Sequence, residues 1–323
     1  MRISLLLFFI TLTLNVFAQP VEKQLFKNDS LLVIPKRPEK GFYHDYILFI
    51  PKETPVNKEI VLLVEPNNTG KTNDSIEVHK EYAIDLASVS SVGNNVSTML
   101  KIPLLVPIFP RPASDELMYT HALDRDVMLE KSPEFKRLDL QLIAMINDSR
   151  KVLESMEIEI APKIFMSGFS ASATFTNRFS LIHPEVIQGL AIGGFNGELM
   201  LPQPEINGVE LKYPLGTKDF KKLFGGEFDL NAFRDIPQYI YMGKLDDNDA
   251  VQFDDAYSEK ERKIINYNIG DNVQERFLKC QLLYEKQKVF PVFKNWDDVG
   301  HWTTSAMNFE VIKFFFHEMQ KNL

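Results

Sequence analysis

The sequence predicts an α/β protein, a mostly parallel central sheet with helices on both faces. Three observations predict it. Short apolar runs recur along the chain, at 60–64, 102–109, 162–166, 186–192 and 239–242. Amphipathic stretches of helical period stand between several of them. Most runs end in clusters of Pro, Gly, Asn or Asp that break regular structure. Strands alternating with helices form parallel sheets covered on both faces.

The elements follow in order. The runs 31–34 and 46–50 flank Gly41 and predict an antiparallel pair at one sheet edge. The run 60–64 is continuous and β-branched, as suits a strand buried on both faces. It ends in Glu65-Pro66-Asn67-Asn68-Thr69-Gly70, and residues 76–86 then predict a helix. Residues 102–109 carry Pro103 and Pro107 and run into Pro110-Arg111-Pro112. Leu138, Leu142, Ile146 and Leu153 mark a long amphipathic helix over 135–156. Strand 162–166 precedes a helix over 172–180, and strands 186–192, 239–242 and 290–293 complete the sheet. The last helix covers 304–319. Residues 195–235, with Pro202, Pro204, Pro214 and Gly225-Gly226, break the alternation. They are expected to form a small cap over the C-terminal edge of the sheet, where caps shape pockets.

At 323 residues, without repeats or a low-complexity linker, the chain reads as one domain over 19–323. The net charge of −8 argues against nucleic acid, which selects basic faces. Residues 1–18 read as a cleaved signal peptide: Arg2, an apolar core and Val16-Phe17-Ala18 before Gln19. The apolar stretch is short for a span, so no stable membrane insertion is expected after cleavage. The mature protein is expected to be secreted or periplasmic. Cys280, the single cysteine, allows no intrachain disulfide. Its helical spacing from Phe277 and Tyr284 marks it as a core thiol.

The chemistry concentrates in Gly168-Phe169-Ser170-Ala171-Ser172, between a buried strand and a helix. This is the strand–turn–helix context of a nucleophile elbow. A tight turn pushes the serine hydroxyl out at the top of the sheet, and its flanking residues must be small. The competing reading is a serine that only caps the helix. A serine needs a base. Of six histidines, His301 follows the last strand in Gly300-His301-Trp302, and such a loop returns to the sheet edge where the serine emerges. His121 is the alternative. Asp246, three residues past Gly243 at the end of the penultimate core strand, is placed to orient the histidine, with Asp247 as alternative. The order Ser170, Asp246, His301 is the one expected for such an elbow.

An oxyanion hole would use the N–H of Ala171 and a donor from the loop after the 60–64 strand, Asn67 or Asn68 by position. Arg111, held between two prolines, is a candidate for a polar or anionic substrate group, or a partner for Glu116 or Asp124. Trp302 is a candidate pocket wall. Glu65 is read either as site polarity or as a local salt bridge. No metal site is expected; the acidic turn 246–249 lacks the glycine and ligand spacing of a calcium loop.

With these residues placed, the chain resembles the α/β-hydrolase superfamily from about residue 46 to its end. It is similar to secreted esterases of the poly(3-hydroxybutyrate) depolymerase-like group. The likeness rests on the elbow, the Gly243-x-x-Asp246 strand end and the Gly300-His301 loop. It implies the α/β-hydrolase fold and carboxylic ester hydrolysis through an acyl-serine, without a cofactor, on a small-molecule or polymer ester. Ser172 departs from the usual glycine, and Glu65-Pro66-Asn67 departs from the usual His-Gly loop. A serine peptidase for short peptides and a non-catalytic binding protein of the same fold are the alternatives.

Overall fold

The computed structural model describes residues 29–89, 91–115 and 117–321. The expected signal peptide and Glu116 lie outside them. Eight strands form the main sheet: β1 (Ser30–Ile34), β2 (Tyr46–Ile50), β3 (Leu63–Val64), β4 (Leu104–Pro107), β5 (Ile164–Phe169), β6 (Ile187–Gly193), β7 (Gln238–Gly243) and β8 (Val292–Trp296). Their spatial order is β1-β2-β4-β3-β5-β6-β7-β8. β2 runs antiparallel to both β1 and β4, and every other pairing is parallel. The mostly parallel sheet read from the sequence is therefore the architecture, with the antiparallel pair at its edge.

Ten helices accompany the sheet among the described residues: α1 (Ile76–Ser88), α2 (Val92–Leu100), α3 (Arg125–Leu129), α4 (Leu138–Glu154), α5 (Ala171–Ile182), α6 (Phe220–Phe224), α7 (Leu230–Arg234), α8 (Glu259–Asn268), α9 (Val273–Lys286) and α10 (Ser305–Gln320). Helices α1, α2 and α10 cover one face, with Phe315 of α10 packed 4.7 Å from Phe165 of β5. Helices α4, α5 and α9 cover the other; Asn177 of α5 donates to the Tyr284 hydroxyl of α9 at 2.9 Å. β5 and β6 are almost wholly buried, which explains why their sequences read as unbroken apolar runs. Cys280 is buried on α9, and desolvation raises its thiol pKa well above the ordinary value. None of the described helices is long and apolar enough to cross a membrane.

Several strands differ in extent from the sequence reading: the 102–109 run is a strand only over Leu104–Pro107 and the 162–166 run over Ile164–Phe169, and two further cases are informative. The run 60–64 is divided: Glu59–Ile60 pairs with Glu159–Ile160 in a separate ribbon, and only β3 joins the main sheet. Pro162 lies opposite the division, and a proline has no N–H for the ladder. β8 starts at Val292 rather than at Phe290, which stands 74% exposed. As the last strand of the sheet it pairs on one side only, so its side chains need not be apolar.

The segment 195–235 contains a short hairpin (Glu205–Ile206 with Val209–Glu210), α6 and α7. Its anchors lie beside the α4, α5, α9 layer. The Tyr213 hydroxyl bonds the Leu123 carbonyl, and Asp219 accepts from Arg125 at 2.8 Å. Arg234 donates to the Gln287 carbonyl at 2.8 Å. Only Asn196 of this segment lines the cleft that contains Ser170.

Leu142 is fully buried on α4. Leu142→Ala is expected to lower unfolding stability by about 3 kcal/mol, transfer loss plus cavity. Urea denaturation followed by circular dichroism measures it, and a loss under about 1 kcal/mol would contradict the packing described.

Candidate active site

β5 ends and α5 begins at Ser170, whose backbone stands at φ 62°, ψ −128°. A non-glycine residue there costs of order 1–3 kcal/mol and persists only where its surroundings enforce it. The enforcement is visible on both sides. Ser170 N–H donates to the Gly193 carbonyl at the end of β6 at 3.0 Å. A Cβ on Gly168 would stand 2.3 Å from the Ser172 carbonyl oxygen, so strand and helix backbones nearly touch. Ser172 Oγ accepts from Phe169 N at 2.9 Å and lies 2.8 Å from the Phe169 carbonyl. The residue that departs from the glycine pattern thus ties the elbow through its own hydroxyl. Ser170 stands at the N-cap position, yet its side chain makes no cap hydrogen bond. Its Oγ is not spent on the helix.

Asp246 and His301 come from neighbouring loops that are laced together. Leu245 N–H donates to the Val299 carbonyl at 2.9 Å, and Lys244 N–H to Trp296 at 2.8 Å. A Cβ on Gly243 would meet the Val299 carbonyl at 2.1 Å, so glycine is what lets the loops close. Gln274 of α9 donates to the Gly243 and Asp246 carbonyls, 2.8 Å each, and fixes the acid turn. Asp246 is buried, and its two oxygens lie 3.0 and 2.9 Å from His301 Nδ1. Asp247 beside it is exposed. The Phe169 ring packs 5.0 Å from the His301 ring. Asn248 Nδ2 lies 2.7 Å from His301 Nε2 and 3.4 Å from Ser170 Oγ. Ser170, Asp246 and His301 are therefore brought to one place from three strand ends. Asn248 joins them, and the sequence reading had seen it only as part of an acidic turn.

The other histidines lie elsewhere. His121 is buried, and desolvation lowers its pKa to about 3. Its Nε2 faces the Phe109 carbonyl at 2.9 Å. His183 bonds Asp139, and His44 bonds the Glu134 carbonyl.

Ser170 opens into a cleft of about 570 Å³ lined by Asn68, Arg111, Tyr119, Asn196, Asn248 and Asp255 among others. Asn67 is not among its walls: its side chain exchanges hydrogen bonds with the Phe109 backbone, 2.8 and 3.1 Å. Asn68, the neighbour, reaches the Phe169 carbonyl at 3.4 Å. Arg111 lies in the cleft with its guanidinium 3.6 Å over the Tyr119 ring. It pairs with Asp255. The expected alternative partner Asp124 instead caps α3, accepting from Val127 N–H at 3.1 Å. Trp302 is 55% exposed, with its ring against Gly300, and does not line the cleft. Glu65 accepts from Gly93 N–H at the start of α2 at 2.8 Å; it forms no salt bridge and stands outside the cleft. Among the described residues no group of three or more His, Cys, Asp and Glu could hold a metal ion.

No known family model matches the sequence, and no curated protein matches it. Solved structures do. Poly(aspartic acid) hydrolase-1 from Sphingomonas sp. KT-1 superposes with a TM-score of 0.58 at 15% identity, over 90% of this chain and 98% of that one. LpqC, a poly(3-hydroxybutyrate) depolymerase from Bordetella parapertussis, superposes with a TM-score of 0.53 at 13% identity, over 90% of each chain. The chain has the α/β-hydrolase fold. At such identities the likeness establishes an α/β-hydrolase architecture alone, and function must be argued from the site.

Three carboxyls outside the cleft are buried in the interior. Desolvation pushes Glu65 up to about 7, Asp124 to about 8 and Glu198 to about 8. With a native pKa above the unfolded one, the folded protein holds protons the unfolded chain has released. This contribution is fullest near pH 4 and is lost as pH rises through about 7 to 8. The melting temperature is therefore expected to fall between about pH 5 and pH 9. Asp124→Asn, which keeps the cap, should flatten part of that fall in a pH series of thermal melts. An unchanged slope would contradict a protonated Asp124.

Proposed function

We propose that the protein is a serine hydrolase of carboxylic esters, with Ser170 as nucleophile, His301 as general base and Asp246 as the orienting acid. The observation that carries this reading is the strained Ser170, whose Oγ is uncommitted to the helix and faces a cleft beside the His301–Asp246 pair. Strain of this kind is retained where a turn serves a purpose.

The chemistry follows from the parts. Asp246 accepts from Nδ1–H, which leaves the His301 Nε2 lone pair to take the serine proton. Oγ attacks the ester carbonyl carbon, and the carbonyl oxygen takes up the charge. The Ala171 N–H at the start of α5 is the first oxyanion donor in this reading, and Asn68 supplies the second. Such donors contribute about 3–4 kcal/mol each in comparable sites. His301 then hands its proton to the leaving alcohol, and water repeats the cycle on the acyl-serine. Arg111 on Tyr119 would orient a polar part of the substrate. The name of LpqC is that of a polyester depolymerase and suits a polymer ester, while poly(aspartic acid) is amide-linked and suits the peptidase alternative; a small ester remains within the reading. Residues 1–18 would direct the protein out of the cytoplasm, to a periplasm or beyond.

A fluorophosphonate probe followed by peptide mass spectrometry should place the label on Ser170, and Ser170→Ala and His301→Ala should abolish it. On any ester the protein cleaves, Ser170→Ala should lower kcat by about 10⁶, the scale of a broken triad. Turnover near the wild-type rate in that variant would exclude the assignment. Folded wild type without label would favour the binding-protein alternative. Matched ester and amide substrates separate esterase from peptidase.

A further inference from the structure

Asn248 occupies the space between the proposed base and the proposed nucleophile. Its Nδ2 lies 2.7 Å from His301 Nε2 and 3.4 Å from Ser170 Oγ. Among the described residues no direct hydrogen bond joins Ser170 Oγ to His301. The polarity of the bridge follows from Asp246. An ionised carboxylate only accepts, so His301 carries its proton on Nδ1, and Nε2 must receive one. The group facing Nε2 is therefore the amide N–H of Asn248. That lone pair is the one that must take the serine proton, and at rest it is filled.

The backbone around Asn248 is clamped on both sides. Asn248 N–H donates to Asp246 Oδ1 at 3.1 Å. Asp249 accepts from Val251 N–H at 3.0 Å and pairs with Arg276, a fully buried side chain of α9. The side chain, half-buried on the cleft wall, is held, among the described residues, only by its contacts with His301 and Ser170.

We propose that Asn248 is a specificity-determining residue that keeps the base occupied until a hydrogen-bond acceptor in the substrate draws its amide away. The proposal rests on the serine-hydrolase reading. A substrate with an ether, hydroxyl or carbonyl oxygen next to the scissile carbonyl exchanges one amide hydrogen bond for another. A plain alkyl acyl group leaves the amide donor stripped of its partner, and buried donors without partners are penalised. A site built this way rejects the analogue that lacks the acceptor. The remaining walls are mixed: the Tyr119 hydroxyl, which accepts from Asn196, and Asn68 are polar, Leu117 and Phe253 are exposed and apolar, and Arg111 is neutralised by Asp255.

Two isosteric esters test this, p-nitrophenyl butyrate and p-nitrophenyl methoxyacetate, in which one methylene is replaced by oxygen. Their intrinsic difference in reactivity cancels when the kcat/KM ratio of a variant is compared with that of the wild type. Asn248→Ala should raise kcat/KM on the butyrate and collapse the preference for the methoxyacetate by about tenfold, the scale of one buried donor. Asn248→Asp should move the acid limb of the pH–rate profile up by about one unit, because a carboxylate beside Nε2 favours the imidazolium. An unchanged preference in Asn248→Ala, or equal slowing of both esters with the acid limb of Asn248→Asp unmoved, overturns the proposal. If that happens while Ser170→Ala is inactive, only the role of Asn248 falls. If Ser170→Ala keeps turnover, or the wild type cleaves neither ester, the ester-hydrolase reading falls and this inference falls with it.

Discussion

The close approach of β5 and α5 at Gly168 sets the terms for the rest of the site. With 2.3 Å between a would-be Cβ there and the Ser172 carbonyl, the chain has room for one sharp turn. That turn holds Ser170 at positive φ and lifts its hydroxyl clear of the sheet. The strain is offset by what surrounds it: a backbone bond to Gly193, the Ser172 hydroxyl on the Phe169 peptide, and a nearly fully buried strand and helix on either side. An elbow on a loosely packed strand could not keep a residue there.

The same constraint reaches the other site residues. Gly193 ends β6 and Gly194 follows it, and a Cβ on Gly194 would press on the Phe169 ring and stand 3.1 Å from Asp246 Oδ2. Phe169 in turn packs on His301. Small residues at the ends of β5, β6 and β7 thus let three loops converge, and the larger rings fill what remains. Behind the acid loop, Arg276 and Gln274 reach out of α9 to hold Asp249 and the Asp246 turn. Two polar side chains from one helix fix the position of the carboxylate that faces the histidine.

The cleft has the character of its walls. Arg111, Tyr119 and Asp255 form a pre-paired polar surface, and three asparagines face the same space. Groups that are already oriented lose little freedom when a substrate binds. Leu117 and Phe253 add exposed apolar surface to the same walls.

Much of this was legible in the sequence for a simple reason. A strand buried on both faces must be apolar throughout, so β5 and β6 announced themselves. A glycine two residues before a serine, between such a strand and a helix, has few other uses. His301 and Asp246 could be placed because loops after parallel strands return to one edge of the sheet. β8 was misjudged because an edge strand is not required to be apolar, and the 60–64 run because pairing partners are chosen across the sheet. Asn67 and Asn68 are identical in type and adjacent. Only the packing against Phe109 decides which one turns inward and which one faces the cleft. Likewise Asp255 as partner of Arg111, and Asn248 between His301 and Ser170, depend on contacts spanning 144, 53 and 78 residues of chain. The sequence by itself determined most of the sheet strands, their alternation with helices and the three strand ends that hold Ser170, Asp246 and His301, because local patterning and loop direction are written in neighbouring residues; helices such as α2 and α8 were not read from it. The tertiary structure decided which side chains meet in the cleft, because those meetings are set by how distant loops pack.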